Sequence, residues 1–166
     1  MNIQISITPG PMLKGKAPKV IQRHTDRFIY NATMYLLAEV KKRTPQGVGG
    51  AQGGLLASIQ PSFEGKGTAI SRGIVATNAA HALVVEKGRR PGKGMPPKGS
   101  LVRWLQVKLG LDEQAASRVE YVVRRKIAQK GFEGAHMFEK AWTENLPKIQ
   151  GMAQKAGLEM VVELNG

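Results

Sequence analysis

Cysteine is absent from the 166-residue chain, and its absence excludes several kinds of chemistry. Disulfide bonds, thiolate metal sites and cysteine nucleophiles all require the thiol group. A chain without cysteine suits a reducing cytoplasm, although composition by itself does not establish the compartment.

Long apolar runs are also missing. No stretch of the sequence approaches the roughly 18 to 20 apolar residues that span a bilayer. The segment 1–10 has no basic stretch followed by an apolar run, which is the pattern of a secretory signal. We therefore expect a soluble protein with no contact with a membrane.

Acidic residues are scarce relative to basic ones. The chain has 12 aspartates and glutamates against 25 lysines and arginines, which gives a formal net charge of +13. Such an excess usually serves binding to nucleic acid, to an anionic membrane or to an acidic protein. Charge alone does not choose among these partners.

Residues suited to catalysis or metal binding do not cluster in the sequence. The three histidines, His24, His81 and His136, lie far apart, and none has a second ligand at a metal-site spacing. The glycine-rich segment 46–54 lacks the Gly-Lys-Ser/Thr ending of a phosphate-binding loop, and a predicted helix precedes it rather than a strand. We predict no catalytic residues, no metal site and no cofactor, and hence no enzyme.

Hydrophobic periodicity predicts an α+β fold in a single domain over residues 1–166. The predicted sheet is small and antiparallel, and it packs with a long N-terminal helix and several C-terminal helices. In chain order, the expected elements are a strand over 2–8, a helix over 19–43, a hairpin over 58–63 and 68–77, helices over 79–87, 100–109, 112–130 and 137–155, and a strand over 158–164.

Particular residues sharpen these expectations. The long helix is expected to bury Ile21, Phe28, Ala32, Leu36 and Val40, which recur at near-helical spacing. The later helices are expected to begin at the caps Ser100 and Asp112 and to be kinked or divided at Pro147. The helix over 112–130 is expected to turn a further set of residues inward: Ala115, Val119, Val122 or Val123, and Ile127.

Two loops, at about 44–54 and 89–99, are the candidate functional segments, and both are expected to be mobile. The first is a candidate interface loop, comprising Thr44, Pro45, Gly49, Gly50, Gly53 and Gly54. The second is a candidate DNA- or partner-contacting basic loop, comprising Lys87, Arg89, Arg90, Lys93, Lys98 and Arg103. Clustered cations of this kind neutralise phosphates without sequence preference. Because Trp104 is the only aromatic residue near the basic loop, stacking on single strands is not expected there.

Several short motifs follow one another in a defined order along the chain. A helix ending in Arg43-Thr44-Pro45 is followed by a glycine-rich loop and by Gly54-Leu55-Leu56-Ala57-Ser58-Ile59. The segment Val85-Glu86-Lys87-Gly88, a proline pair, Pro96-Pro97, and the Met137-Phe138 segment come next. This order resembles the neck and tail-completion family of long-tailed bacteriophages, in which the second segment reads "Ala-x-x-Val-Glu-x-Gly".

This resemblance implies a non-enzymatic virion protein that is assembled in the host cytoplasm. Its subunits would form a homo-oligomeric ring in the neck, between head-closure or connector proteins and tail-terminator or tail-tube proteins. DNA would pass through the lumen of the ring, and the resemblance leaves open whether the basic loop contacts this DNA, without sequence preference, or a protein neighbour.

Two other functions remain open at the level of sequence. A stand-alone, non-specific nucleic-acid-binding protein would account for the charge, and it would lose affinity steeply as salt rises. A small nuclease would need a cluster of metal-binding carboxylates, and the sequence offers no obvious one.

Overall fold

The computed structural model describes residues 2–7, 17–49, 54–68 and 70–165. Over these residues the chain forms the α+β fold that the sequence predicts. The strands are β1 (Asn2–Ile7), β2 (Gln60–Glu64), β3 (Ser71–Ala76), β4 (Gly88–Arg89) and β5 (Phe132–Glu133). The helices are α1 (Ala17–Arg43), α2 (Gly54–Ser58), α3 (Ala82–Lys87), α4 (Val102–Leu109), α5 (Glu113–Lys130) and α6 (Met137–Asn165).

The chain groups into two compact units, which are described separately. The sheet unit comprises Asn2–Glu39, Gln60–Ala76 and Glu139–Gly166. The loop unit comprises Val40–Ile59 and Thr77–Phe138. Whether the two behave as one domain, as the sequence predicts, stays a prediction.

The sheet unit is built on three antiparallel strands in the order β1-β3-β2. β3 is central, and its residue Gly73 pairs with Ile5 on one side and with Phe63 on the other. The predicted β2–β3 hairpin is thereby confirmed, with its turn at the two positive-φ glycines Gly65 and Gly67.

Helix α1 supplies the main apolar face of the sheet unit. Ile21, Phe28, Ala32 and Leu36 are buried, as their spacing predicts. The fifth residue of the predicted stripe, Val40, is buried in the loop unit. The periodic pattern therefore identified the inward side of the whole helix.

The end of the chain differs from the prediction, because residues 158–164 continue α6 as a helix instead of forming a strand. α6 also runs through Pro147 without being divided there. Glu159 and Glu163 fit the helical conformation, because both carboxylates approach the ring of the buried His24, at 4.0 Å and 2.8 Å. Residues four apart lie about 6 Å apart along a helix but about 13 Å apart along a strand, too far to reach one imidazole.

Glu163 makes the stability of this contact dependent on pH. Hydrogen bonds from Arg23 and then from His24 lower the pKa of Glu163 below its ordinary value of 4.5. A carboxylate with a lowered folded-state pKa contributes stability that is present above pH 4.5 and is lost as the pH falls through the lowered pKa. We expect Glu163→Gln to lower the urea midpoint slightly above pH 4.5, and the difference from wild type to close on acidification. Glu133→Gln, on an exposed residue, is the control, and a difference that persists in acid would contradict the assignment.

Candidate functional site

Both predicted functional loops belong to the loop unit, where the described parts of the interface loop are held by close contacts. Thr44 is buried, and its hydroxyl donates to the carbonyl of Val40 at 2.8 Å and to Sδ of Met137 at 3.3 Å. Gly47 lies so close to α4 that a Cβ would meet the carbonyl oxygen of Arg103 at 2.9 Å. Thr44, Pro45, Gly49 and Gly54 are described, whereas Gly50 and Gly53 lie outside the described residues.

His81 packs against the interface loop. A Cβ on Gly49 would lie 2.7 Å from Nε2 of His81, and the positive φ of Gly49 also favours glycine at this position. Nε2 of His81 is buried and has no hydrogen-bond partner within the described ranges.

Strand pairing and close backbone contacts at two glycines connect the start of the basic loop to the segment before α6. β4 pairs with β5, so that Gly88 lies opposite Glu133 and Arg89 opposite Phe132. At Gly134 a Cβ would meet the carbonyl oxygen of Glu86 at 2.1 Å, and at Gly88 it would meet the carbonyl oxygen of Phe132 at 2.4 Å. Backbone can approach backbone this closely only where side chains are absent.

Glu86 adds two hydrogen bonds to this connection from within the core. Its side chain is fully buried, and its carboxylate accepts a hydrogen bond from the backbone N–H of Phe138 at 3.1 Å. Its backbone carbonyl also accepts the N–H of His136 at 3.0 Å. The first N–H groups of a helix have no partner inside the helix, so Glu86 acts as an N-terminal cap for α6 supplied from a distant part of the chain.

Helix α5 anchors the basic loop at several points. The N–H of Gly92 donates to the carbonyl of Ala128 at 2.9 Å, and Nε of Arg124 donates to the carbonyl of Pro96 at 2.7 Å. The buried Glu120 accepts the N–H groups of Gly99 and Leu101 at 3.0 Å and 3.1 Å. The predicted mobility of the loop stays a prediction, but its backbone has these defined partners.

These contacts correct two predictions about the neighbouring helices. Ser100 does not cap α4, because Leu101 occupies the N-cap position and the hydroxyl of Ser100 donates to the carbonyl of Pro97 at 2.6 Å. Among the residues predicted to face inward on α5, Val119 and Val122 are exposed, whereas Ala115, Val123 and Ile127 are half-buried. The buried residues of this helix are Ala116 and Glu120. The cap at Asp112 is confirmed by its bond from the N–H of Ala115 at 2.7 Å.

The cations of the basic loop divide into two kinds. Arg89 is half-buried and donates to the carbonyl of Gly94, so it holds the turn of the loop. The others are exposed to solvent: Lys87, Arg90, Lys93, Lys98 and Arg103. Exposed cations on an anchored backbone form a basic surface that an anionic partner can contact.

A second basic surface, which the sequence did not reveal as a site, lies in the sheet unit. It is a groove of about 670 Å³ between α1 and the β2–β3 hairpin, and stacked rings of Tyr30 and Phe63 form part of its wall. Lys19, Arg23 and Arg27 recur every four residues on α1, and this spacing is visible in the sequence. The approach of Phe63 depends on tertiary packing, and no local pattern indicates it.

Two general properties complete the description. None of the helices seen over the described residues combines the length and apolarity of a bilayer crossing. Within the same ranges, no three histidine, aspartate or glutamate side chains gather into a group suited to a metal ion.

Comparison with known proteins identifies no relative of this chain. No model of a protein family matches the chain, and neither a curated protein nor a solved structure does.

Proposed function

We propose that this protein is a non-enzymatic structural subunit of a tailed bacteriophage, which forms a ring in the neck joining the DNA-filled head to the tail. The observation that supports the proposal most is the meeting of separate motifs in the loop unit. Thr44 touches Met137, and Glu86 caps the helix at Phe138. Several of the segments on which the resemblance depends therefore contact one another in the loop unit.

The surfaces of the two units suit repeated assembly. In the sheet unit, the end of α6 exposes Leu158, Val161 and Val162, whose spacing places them on one side of the helix. In the loop unit, α3 exposes Leu83 and Val84. A ring uses two dissimilar patches on every subunit, each of which binds the other patch on a neighbour. Contact with a second copy of the chain would remove these apolar side chains from water.

The exposed cations of the basic loop suit an anionic neighbour in the neck. Lys87, Arg90, Lys93, Lys98 and Arg103 can meet either an acidic ring or DNA that passes through the lumen. The partners under this proposal are further copies of the chain, head-closure or connector proteins, and tail-terminator or tail-tube proteins.

Deletion of the gene in the phage that encodes the protein tests this function. Negative-stain images of the lysate are expected to show full heads beside unattached tails, and a plasmid copy is expected to restore joined virions. Infectious virions in the absence of the gene would refute the proposal.

Complementation with charge variants tests the basic loop within the same experiment. Arg90→Glu with Lys93→Glu is expected to leave heads and tails apart, because it reverses the charge that faces the partner. Arg89 is left intact because it holds the turn of the loop. Lys140→Glu with Lys148→Glu makes the same change in net charge on exposed residues of α6 and is expected to restore joining. If the loop variant and the α6 variant both restored joined heads and tails, the basic loop would be excluded as the surface that contacts the partner.

A further inference from the structure

The groove between α1 and the β2–β3 hairpin combines positive charge with exposed aromatic rings. Its volume of about 670 Å³ lies within the range of small-molecule sites. Five cations line it: Lys19, Arg23, Arg27, Lys66 and Arg72. The acidic side chains among the lining residues are Asp26 and Glu64.

The groove is held open by its own hydrogen bonds. Asp26 accepts hydrogen bonds from the hydroxyl of Ser71 and from the N–H of Gly67, the latter at 3.2 Å. The side-chain amide of Gln22 donates to the carbonyl of Thr68 at 2.9 Å. These bonds fasten the hairpin turn to α1, so a ligand does not need to order the walls before it binds.

Most of the positive charge in the groove is available to a ligand. Arg23 is paired with Glu163, and Asp26 is occupied by the hairpin. The remaining cations, Lys19, Arg27, Lys66 and Arg72, make no ion pair with any residue that the structure describes, and all four are exposed. Lys19 and Arg27 lie about 12 Å apart along the axis of α1, so the charge extends along the groove.

The aromatic pair indicates which anion fits. The ring centroids of Tyr30 and Phe63 are 5.3 Å apart, and 53% and 39% of the two residues are exposed. An acidic peptide would use the cations and leave these rings in water. A nucleotide presents both a flat base for the rings and a phosphate for the cations.

We propose that this groove binds nucleotide units, with the base against Tyr30 and Phe63 and the phosphates among Arg27, Lys66 and Arg72. The units come either from a single strand or from free nucleotides, which share this chemistry. A paired base in duplex DNA cannot place its face on the rings without leaving the stack. The inference is independent of the neck proposal, so failure of either leaves the other intact.

Fluorescence anisotropy with a labelled oligothymidylate of about 12 nucleotides tests the groove. Tyr30→Ala is expected to weaken binding about tenfold, because loss of one stacking surface has an effect of that order. Tyr30→Phe retains the ring and is expected to bind like wild type. Tyr121→Ala removes an equally exposed tyrosine from α5 and is the matched control, also expected to bind like wild type.

Salt dependence tests the phosphate contacts separately. Arg27→Ala is expected to reduce the slope of log affinity against log salt concentration by about 0.7, the value for one phosphate contact on a single strand. Arg125→Ala, which removes an exposed arginine from α5, is expected to leave the slope unchanged.

Competition identifies the source of the ligand and rejects the alternatives. Displacement of the probe by thymidine monophosphate indicates free nucleotides, and displacement only by unlabelled oligonucleotide indicates a strand; both support the proposal. Equal displacement by oligoglutamate of the same length would overturn it in favour of an acidic peptide. Equal weakening in the Tyr30→Ala and Tyr121→Ala variants, or none in either, would also overturn it.

Discussion

Replacement of Gly73 by alanine is expected to destabilise the sheet unit by about 2 to 3 kcal/mol, the upper part of the range of about 1 to 3 kcal/mol that is usual for an overpacked core. Gly73 lies at the centre of β3, where α1 crosses the sheet. A Cβ at this position would lie 1.7 Å from Oγ1 and 2.9 Å from Cβ of Thr33, and 3.2 Å from Cγ2 of Ile29. Because Thr33 is almost fully buried and its hydroxyl donates to the carbonyl of Ile29, the helix has to move away from the sheet.

The midpoint of urea unfolding of the Gly73→Ala variant measures this effect. Two further variants show whether the loss comes from the contact with Thr33. Gly151→Ala on α6 meets no atom within 4 Å and is expected to stabilise the protein by up to about 1 kcal/mol. Combining Gly73→Ala with Thr33→Ala is expected to recover part of the loss, since the closest contact is removed. A Gly73→Ala protein as stable as wild type would show that the contact between helix and sheet is looser than described.

Replacement of Glu86 by alanine is expected to destabilise the loop unit by about 3 kcal/mol, because two losses add. The buried N–H of Phe138 loses its acceptor, and the fully buried side chain leaves a cavity. Glu86→Gln retains the volume and one acceptor oxygen, and we expect it to cost about 1 kcal/mol. Urea unfolding followed by circular dichroism measures both values.

The control for Glu86 is an acid at another helix start that remains exposed. Glu113 lies in the first turn of α5, and Glu113→Ala is expected to change stability by only a few tenths of a kcal/mol. If Glu86→Ala were as mild as Glu113→Ala, the cap on α6 would not contribute to stability. If Glu86→Gln were as severe as Glu86→Ala, the negative charge would matter more than packing.

The order and type of most elements followed from local sequence patterns. The apolar spacing of α1, the β2–β3 hairpin and the cap at Asp112 depend on residues that are close in sequence, and each was predicted correctly. The prediction of a strand over 158–164 was wrong, because this segment continues α6, which brings Glu163 to His24, a residue far away in the sequence.

The candidate sites, like the fold, could be predicted from the sequence only where they depend on residues that are neighbours along the chain. The sequence indicated the cations of the basic loop, but it did not distinguish Arg89, which holds the turn, from Arg90, which is exposed. It also singled out Glu86 as part of the Val85-Glu86-Lys87-Gly88 motif, but only the structure shows that its buried carboxylate caps α6. Burial and hydrogen-bond partners depend on which distant segments pack together, so one residue and its neighbours in sequence do not reveal them.

The sequence by itself determined the charge, the absence of thiol chemistry, the α+β pattern and the apolar face of α1, because each is a property of composition or of short-range periodicity. Only the tertiary structure decided that Tyr30 and Phe63 stack in one groove, that Glu86 and Phe138 meet, and that Gly73 lies directly against Thr33. These features join residues about 30 to 50 positions apart, and such contacts are selected by the packing of the whole core rather than by local conformational preference.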